Sequence, residues 1–475
     1  MPLAAENPSD FRGRLAAIFK AYDVRGTVPD QLDGALAAAI GAGFARFARE
    51  SEGARAMAVG RDMRSSGVEL SQAFASGVLS EGLEVLDVGL ASTDLVYFAS
   101  GSRSMPGAML TASHNPAAYN GIKLCLAGAK PVGKDTGLGE IRAGAERFLA
   151  GDSLSKLADP ASDPRYRRAD LLDEFAAHVR SFIDDSRLRP MRVVADTANG
   201  MGGLVVPRVF SGLPIELEIL FGELDGTFPN HPADPIQAAN LVALRARVLE
   251  VGADVGLAFD GDADRVFLVD DKAVPLSGSL TTSIVAAAVL DKHPGATILY
   301  NLICSKSVPE VIIERGGMPV RTRVGHSFVK ATMAETGAVF GGEHSGHYYF
   351  LDNYRADSGI IAAMTVLELM SKSARPLSEL RVAFERYFDS GEINTTVSDT
   401  DAVLSAVEAR YKEAGASLDH LDGLTVDLGT WWFNLRPSNT EPLLRLNLEA
   451  GSAQECEDHL AEVSRLIASL ENPED

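Results

Sequence analysis

The sequence predicts an α/β protein of several domains, on three observations. Its 475 residues, 46% hydrophobic and 23% charged, suffice for roughly three ordinary cores. Short β-branched runs recur beside glycine-rich turns and lead into helical periodicity, as where Val193-Val194-Ala195-Asp196 precedes Thr197-Ala198-Asn199-Gly200. A polar stretch bearing Asp, Pro and Ser at 151–170 separates the first third from the rest.

After that stretch, Leu172, Phe175, Val179 and Phe182 recur at helical spacing and mark an amphipathic helix that opens a second domain. Near the end, Cys456, Leu460, Val463, Ile467 and Leu470 form one stripe, introduced by Ser452 and Glu455 in capping-box spacing. That helix closes a small C-terminal α+β domain. No repeat of solenoid period is present, but four polar loops fall about one per domain-sized segment, which points to a site assembled between domains.

The formal net charge of −21 opposes nonspecific binding to nucleic acid and to anionic lipid, so neither is expected as a partner. An anionic substrate would need a local basic pocket. Cys125, Cys304 and Cys456 lie far apart with no Cys-x-x-Cys pair, which suggests neither disulfides nor a zinc site and fits a reducing, cytoplasmic setting. The first residues lack the pattern of a signal peptide, and the apolar run 284–290 is too short to span a bilayer.

In the first loop, Thr111-Ala112-Ser113-His114-Asn115-Pro116 follows the apolar Ala108-Met109-Leu110 and leads to Asn120-Gly121-Ile122-Lys123, so a strand delivers a serine to a tight turn. An ordinary Asn-Pro turn reads equally well from these residues alone. A Ser-His dyad for acyl transfer does not, because the Gly-x-Ser-x-Gly elbow is missing and adjacent side chains seldom meet as nucleophile and base. Lys123 suits phosphoryl chemistry better.

The second loop, 260–265, sets Asp260, Asp262 and Asp264 at alternate positions between two apolar strands, with Arg265 beside them. Three carboxylates so placed can converge on one hard cation and leave room for a phosphate oxygen, which favours magnesium over a merely solvated acidic turn. An EF-hand also starts with alternating aspartates, and Asp271 stands at its twelfth position. Arg265 replaces the required glycine, however, and the flanks are not helical.

The third loop runs Gly341-Gly342-Glu343-His344-Ser345-Gly346-His347, polar groups able to hydrogen-bond sugar hydroxyls, with Val324-Gly325-His326-Ser327 upstream. The fourth, Arg436-Pro437-Ser438-Asn439-Thr440-Glu441-Pro442, gathers a guanidinium, hydroxyls and an amide that can wrap a phosphate. Either would be an unremarkable polar turn if it stood alone.

Taken in order, the four loops resemble the signature loops of the α-D-phosphohexomutase superfamily, over nearly the whole chain. Tyr22-Asp23-Val24-Arg25-Gly26, Gly60-Arg61-Asp62 with Arg64-Ser65-Ser66, and the run 225–231 match as well. The resemblance implies four domains in a heart shape: three α/β domains with mixed sheets and a fourth α+β domain similar to a TATA-binding protein. The expected spans are 1–155, 156–266, 267–378 and 379–475, with the active site in the central cleft.

By this resemblance Ser113 carries the phosphoryl group, and Asp260, Asp262 and Asp264 hold one magnesium ion together with a phosphoserine oxygen. Arg265 and Lys123 stabilise the transferring phosphoryl, and Arg25 and His114 line the same centre. Glu343 and Ser345 grip the sugar, flanked by His326 and His347, while Arg436, Ser438, Asn439 and Thr440 bind the phosphate not being transferred. Hexose 1- and 6-phosphates of mannose and glucose are the implied partners, with a hexose 1,6-bisphosphate as intermediate and activator and a monomer or homodimer as the assembly. The proton acceptor stays open among His326, His347, Lys123 and His114.

The run 343–347 and Asn439 resemble phosphomannomutases and dual phosphomannomutase/phosphoglucomutases. A phosphoglucosamine mutase, a sugar-phosphate-binding protein without catalysis and a simple phosphatase are the alternatives. Two departures stand out: Asp94 where many relatives have proline, and Ala263 in place of a metal-loop glycine.

Overall fold

The computed structural model describes residues 8–151, 154–437 and 443–471. Four sheets organise the chain, one more than its length alone suggests. The first is seven-stranded, the second and third four-stranded, and the fourth is a five-stranded antiparallel sheet carrying the helices Thr400–Glu413 and Ala453–Glu471.

The first three sheets repeat one plan. In the first, Tyr119–Leu126 pairs antiparallel with Gly107–Leu110, which runs parallel to Ala56–Arg61, itself parallel to Glu84–Leu90. In the second, Val266–Asp270, Val255–Phe259, Met191–Asp196 and Ile215–Leu220 follow in the same order with the same directions. The third repeats it with Tyr348–Phe350, Phe340–Gly342, Thr297–Asn301 and Met318–Thr322. Each time, the loop leaving the second strand at its carboxyl end and entering the antiparallel strand bears the chemistry, the position where α/β sheets commonly hold ligands.

The sheets move two of the expected boundaries. Tyr166–Arg168 pairs parallel with Glu84–Leu90, so the first domain runs past 155 to Arg168. Val266–Asp270 is paired along its whole length to Val255–Phe259, so the second extends beyond 266. In both cases ladder hydrogen bonds, invisible to composition, decide where a unit ends.

Within the first domain, the helices Gly34–Glu52 and Gly67–Ser80 cross at backbone distance. A Cβ at Gly77 would stand 1.9 Å from the Ala38 carbonyl oxygen, so only glycine fits. On the other face, Thr93–Arg103 contributes Leu95, Val96, Phe98 and Ala99 to a continuous core with Phe175 and Val179 of the second domain and Ile284 and Ile360 of the third. The fourth domain keeps a separate core around Trp431, Phe433, Val463 and Ile467. It meets the third through polar contacts such as Lys306 to Asp427 at 2.7 Å and Arg321 to Asp419 at 2.7 Å. Among the described residues, no helix is long and apolar enough to cross a membrane.

Candidate active site

Ser113 sits in a turn with a positive φ of 49°, 5% exposed. Beneath it lies Arg64, whose guanidinium donates to the carbonyls of Ser113 (2.9 Å), Asn115 (2.7 Å), Pro116 (2.8 Å) and Tyr119 (2.9 Å), and to Asp62 at 3.2 Å. One buried side chain thus holds the whole loop. Arg25 ties its far side by donating to Asn115 Oδ1 at 2.6 Å while paired with Asp23.

The backbone of the second loop packs directly on this turn: a Cβ at Gly261 would come within 2.4 Å of the Ser113 carbonyl oxygen. That closeness lets Ser113 Oγ donate to Asp260 Oδ2 at 2.7 Å. Arg265 Nε donates to the same oxygen at 2.9 Å, and Arg265 Nη2 donates to His114 Nδ1 at 2.6 Å. The Arg265 charge, then burial, pushes His114 down to about 2, so its imidazole is neutral and orients rather than charges the site.

Lys123, one strand over, donates to Asp262 Oδ2 at 2.7 Å and Asp264 Oδ2 at 2.6 Å. Burial alone would lower it, but Asp262 and Asp264 hold it above its ordinary value. Burial also raises Asp260, against Arg265 and with Asp262 and Asp264 pushing the same way. Asp262 moves the other way, because Lys123 and Thr93 outweigh its burial.

The triad fits a cation on its own geometry. The three carboxylates can present oxygens within 4.8 Å of one another, Asp262 Oδ1 is buried with no hydrogen-bond partner among the described residues, and an ammonium already sits between Asp262 and Asp264. All-oxygen ligands suit a hard ion. The strands flanking 260–265 exclude an EF-hand, and Asp271 instead accepts from Ser378 N and Oγ, both at 2.8 Å.

In the third loop, Glu343 is 2% exposed and enclosed by its neighbours. It accepts from Tyr349 OH (2.6 Å), Gly325 N (3.0 Å) and Asn301 Nδ2 (3.2 Å), which leaves roughly one lone-pair position of its four for a ligand. His347 pairs with Ser345 Oγ at 2.8 Å and turns Nε2 to within 3.9 Å of Asp264 Oδ1, joining the third loop to the second. His326 packs against the Tyr22 ring at 5.4 Å, and burial, then the Lys330 charge, pushes it down to about 3.

Four consecutive pieces of the chain match the four domain models of one family: phosphoglucomutase/phosphomannomutase alpha/beta/alpha domain I at 16–147, domain II at 171–273, domain III at 277–387 and the C-terminal domain at 392–466. The chain belongs to the phosphoglucomutase/phosphomannomutase family. Its relatives include a protein named phosphohexose mutases from Xanthomonas campestris, 39% identical over 94% of this chain and 98% of that one. A phosphomannomutase/phosphoglucomutase from Pseudomonas aeruginosa is 36% identical over 93% of each. A family member of known structure from Burkholderia thailandensis superposes with a TM-score of 0.84 at 32% identity, over 96% of this chain and 98% of that one.

Against that family background, Arg436 of the fourth domain is buried, with Nη1 lacking a partner among the described residues and Nη2 3.5 Å from Glu392. Ser438, Asn439 and Thr440 lie outside the described residues. Asp94 is fully buried at the start of Thr93–Arg103, accepting from Ser92 and, at 2.6 Å, from Ser358 Oγ, the N-cap of Gly359–Ser373. Ala263 holds a φ of 61°, which explains why a glycine suits that position. Arg64, Tyr349 and Asn301 were not assigned roles from the sequence. Arg64 stood within a matched motif, but nothing local told that it would face the serine loop.

Proposed function

We propose that this chain is a phosphohexomutase, an isomerase that interconverts 6- and 1-phosphates of mannose, and of glucose as well, through phospho-Ser113 and a hexose 1,6-bisphosphate. The observation that carries this reading is Ser113 Oγ, nearly buried and 2.7 Å from Asp260 Oδ2, set between the cations of Arg265 and the Lys123-bound carboxylates. Phosphoryl transfer needs in-line positioning and charge neutralisation more than covalent machinery.

Asp260, Asp262 and Asp264 would hold one magnesium ion, which supplies charge neutralisation to the phosphoryl oxygens when bound. Arg265 orients the serine side through Asp260 and His114, and Lys123 keeps a positive charge beside the group in transit. As a bond forms from the sugar hydroxyl to phosphorus, the Ser113 Oγ bond to phosphorus breaks and the hydroxyl proton passes to a base. Lys123 is held protonated, His114 Nδ1 is engaged by Arg265 and His326 disfavours a proton, which favours His347 for that task. The bisphosphate then turns and returns its other phosphoryl to Ser113.

Arg436, whose Nη1 lacks a partner among the described residues, is suited to grip the phosphate that stays behind, with Ser438, Asn439 and Thr440 assigned to the same task by resemblance. The separate core and polar contacts of the fourth domain suit opening and closing around the turning intermediate. Buried, unpaired cysteines and phosphorylated substrates suit the cytoplasm.

The test is conversion of mannose and glucose 1- and 6-phosphates with magnesium and trace hexose 1,6-bisphosphate. Wild type is expected to isomerise both, and Ser113→Ala neither, with a loss on the order of 10^4-fold or more. Release of free phosphate without isomer, or full activity in Ser113→Ala, would overturn the reading.

A further inference from the structure

We propose that Asp264, His347 and Asp357 form a second cation site, which takes a nitrogen-preferring divalent transition metal such as zinc and thereby arrests the enzyme. Asp264 faces two ways. Its Oδ2 accepts from Lys123 on the side of the aspartate triad, whereas its Oδ1 is buried, has no hydrogen-bond partner among the described residues and lies 3.9 Å from His347 Nε2. Asp264 is 1% exposed and Asp357 2% exposed, and the three residues can present ligand atoms within 4.8 Å of one another.

The surroundings fix this set in place. Lys330 Nζ, itself 3.8 Å from the centre of the Tyr97 ring, sits 2.9 Å from Asp357 Oδ1 and anchors that carboxylate. Ser345 Oγ lies 2.8 Å from His347 Nδ1, so with the hydroxyl accepting, the ring carries its proton at Nδ1 and directs the Nε2 lone pair toward Asp264. One imidazole and two carboxylates select zinc, cobalt or nickel over magnesium, which prefers oxygen alone. A metal there engages a triad carboxylate from one loop and a sugar-loop histidine from another. The arrest of turnover rests on the phosphohexomutase reading; binding of the metal does not.

Equilibrium dialysis of zinc against protein in excess magnesium tests the site, with folding checked by circular dichroism. Wild type is expected to retain zinc. His347→Gln should lose about 10- to 100-fold or more in zinc affinity while keeping its magnesium affinity. Asp260→Asn should lose magnesium affinity and bind zinc within about threefold of wild type, by the same logic of separate ligands. Cobalt bound to wild type should show imidazole coordination that His347→Gln abolishes. Absence of zinc binding in wild type, or zinc affinity that falls in Asp260→Asn but not in His347→Gln, overturns the proposal. If zinc binds as expected but the protein isomerises no hexose phosphate, the functional reading fails alone.

Discussion

The loops at 260–265 and 343–347 stand at the same place in two sheets of the same strand order, each joining a parallel strand to its antiparallel neighbour. In the first, three buried carboxylates are balanced by formal cations, Lys123 and Arg265. In the second, one buried carboxylate, Glu343, is held by neutral donors from Tyr349, Asn301 and the Gly325 backbone. A cluster balanced by side-chain cations can exchange an ammonium for a metal or a phosphoryl group. A carboxylate fixed by neutral donors keeps its position, which suits reading a hydroxyl.

If that contrast is right, damage to the two loops should separate in an assay. Asp262→Asn leaves Lys123 one carboxylate short and removes a ligand from the triad; turnover should fall by more than about 10^2-fold, with magnesium affinity falling alongside it. Tyr349→Phe deletes one donor to a buried charge, worth about 1.5–3 kcal/mol. It should cut kcat/KM by about 10- to 100-fold and leave magnesium affinity unchanged, as titration calorimetry would check. Loss of magnesium affinity in Tyr349→Phe would dissolve the distinction between the loops.

Asp94 extends the comparison to a buried carboxylate with neither a cation nor a ligand. Burial pushes it up to about 7, against the hydrogen bonds from Ser358 and Ser92. The folded state therefore binds a proton more tightly than the unfolded chain, whose Asp titrates near about 4. The stability this contributes is complete below about 4 and declines until the pH passes about 7. Asp94→Asn should remove that decline, so chemical denaturation across pH 4–8, a span set by about those two values, should give a flatter profile for the variant. An identical slope in both proteins would show Asp94 to be ionised throughout. The smallest effect is expected at Ala263: glycine relieves the positive φ but loosens the unfolded chain, for a net gain of no more than about 1 kcal/mol without change in turnover.

Much of the site was legible because its residues cluster in sequence. Ser113, the alternating aspartates and Arg265 fall in two short runs, and the structure joins Ser113 directly to Asp260. The supporting residues were not legible. Arg64 reaches Ser113 across 49 positions and Tyr349 reads as one more aromatic in a strand until its hydroxyl is found on Glu343. The threefold repeat of the sheet plan was also hidden, because it is carried by strand order and direction, which different sequences satisfy equally.

The sequence by itself determined the α/β class, the family and the four loops, since turn chemistry, apolar periodicity and local runs of functional groups are properties of neighbouring residues. Only the tertiary structure decided which charges meet. Lys123 lies 139 positions from Asp262, and Asp264 lies far from His347 along the chain, yet each pair converges where sheets from different domains abut. Protonation, loop rigidity and the enclosure of Glu343 follow from those encounters, because burial and Coulomb energy depend on distance in space and not on separation in sequence.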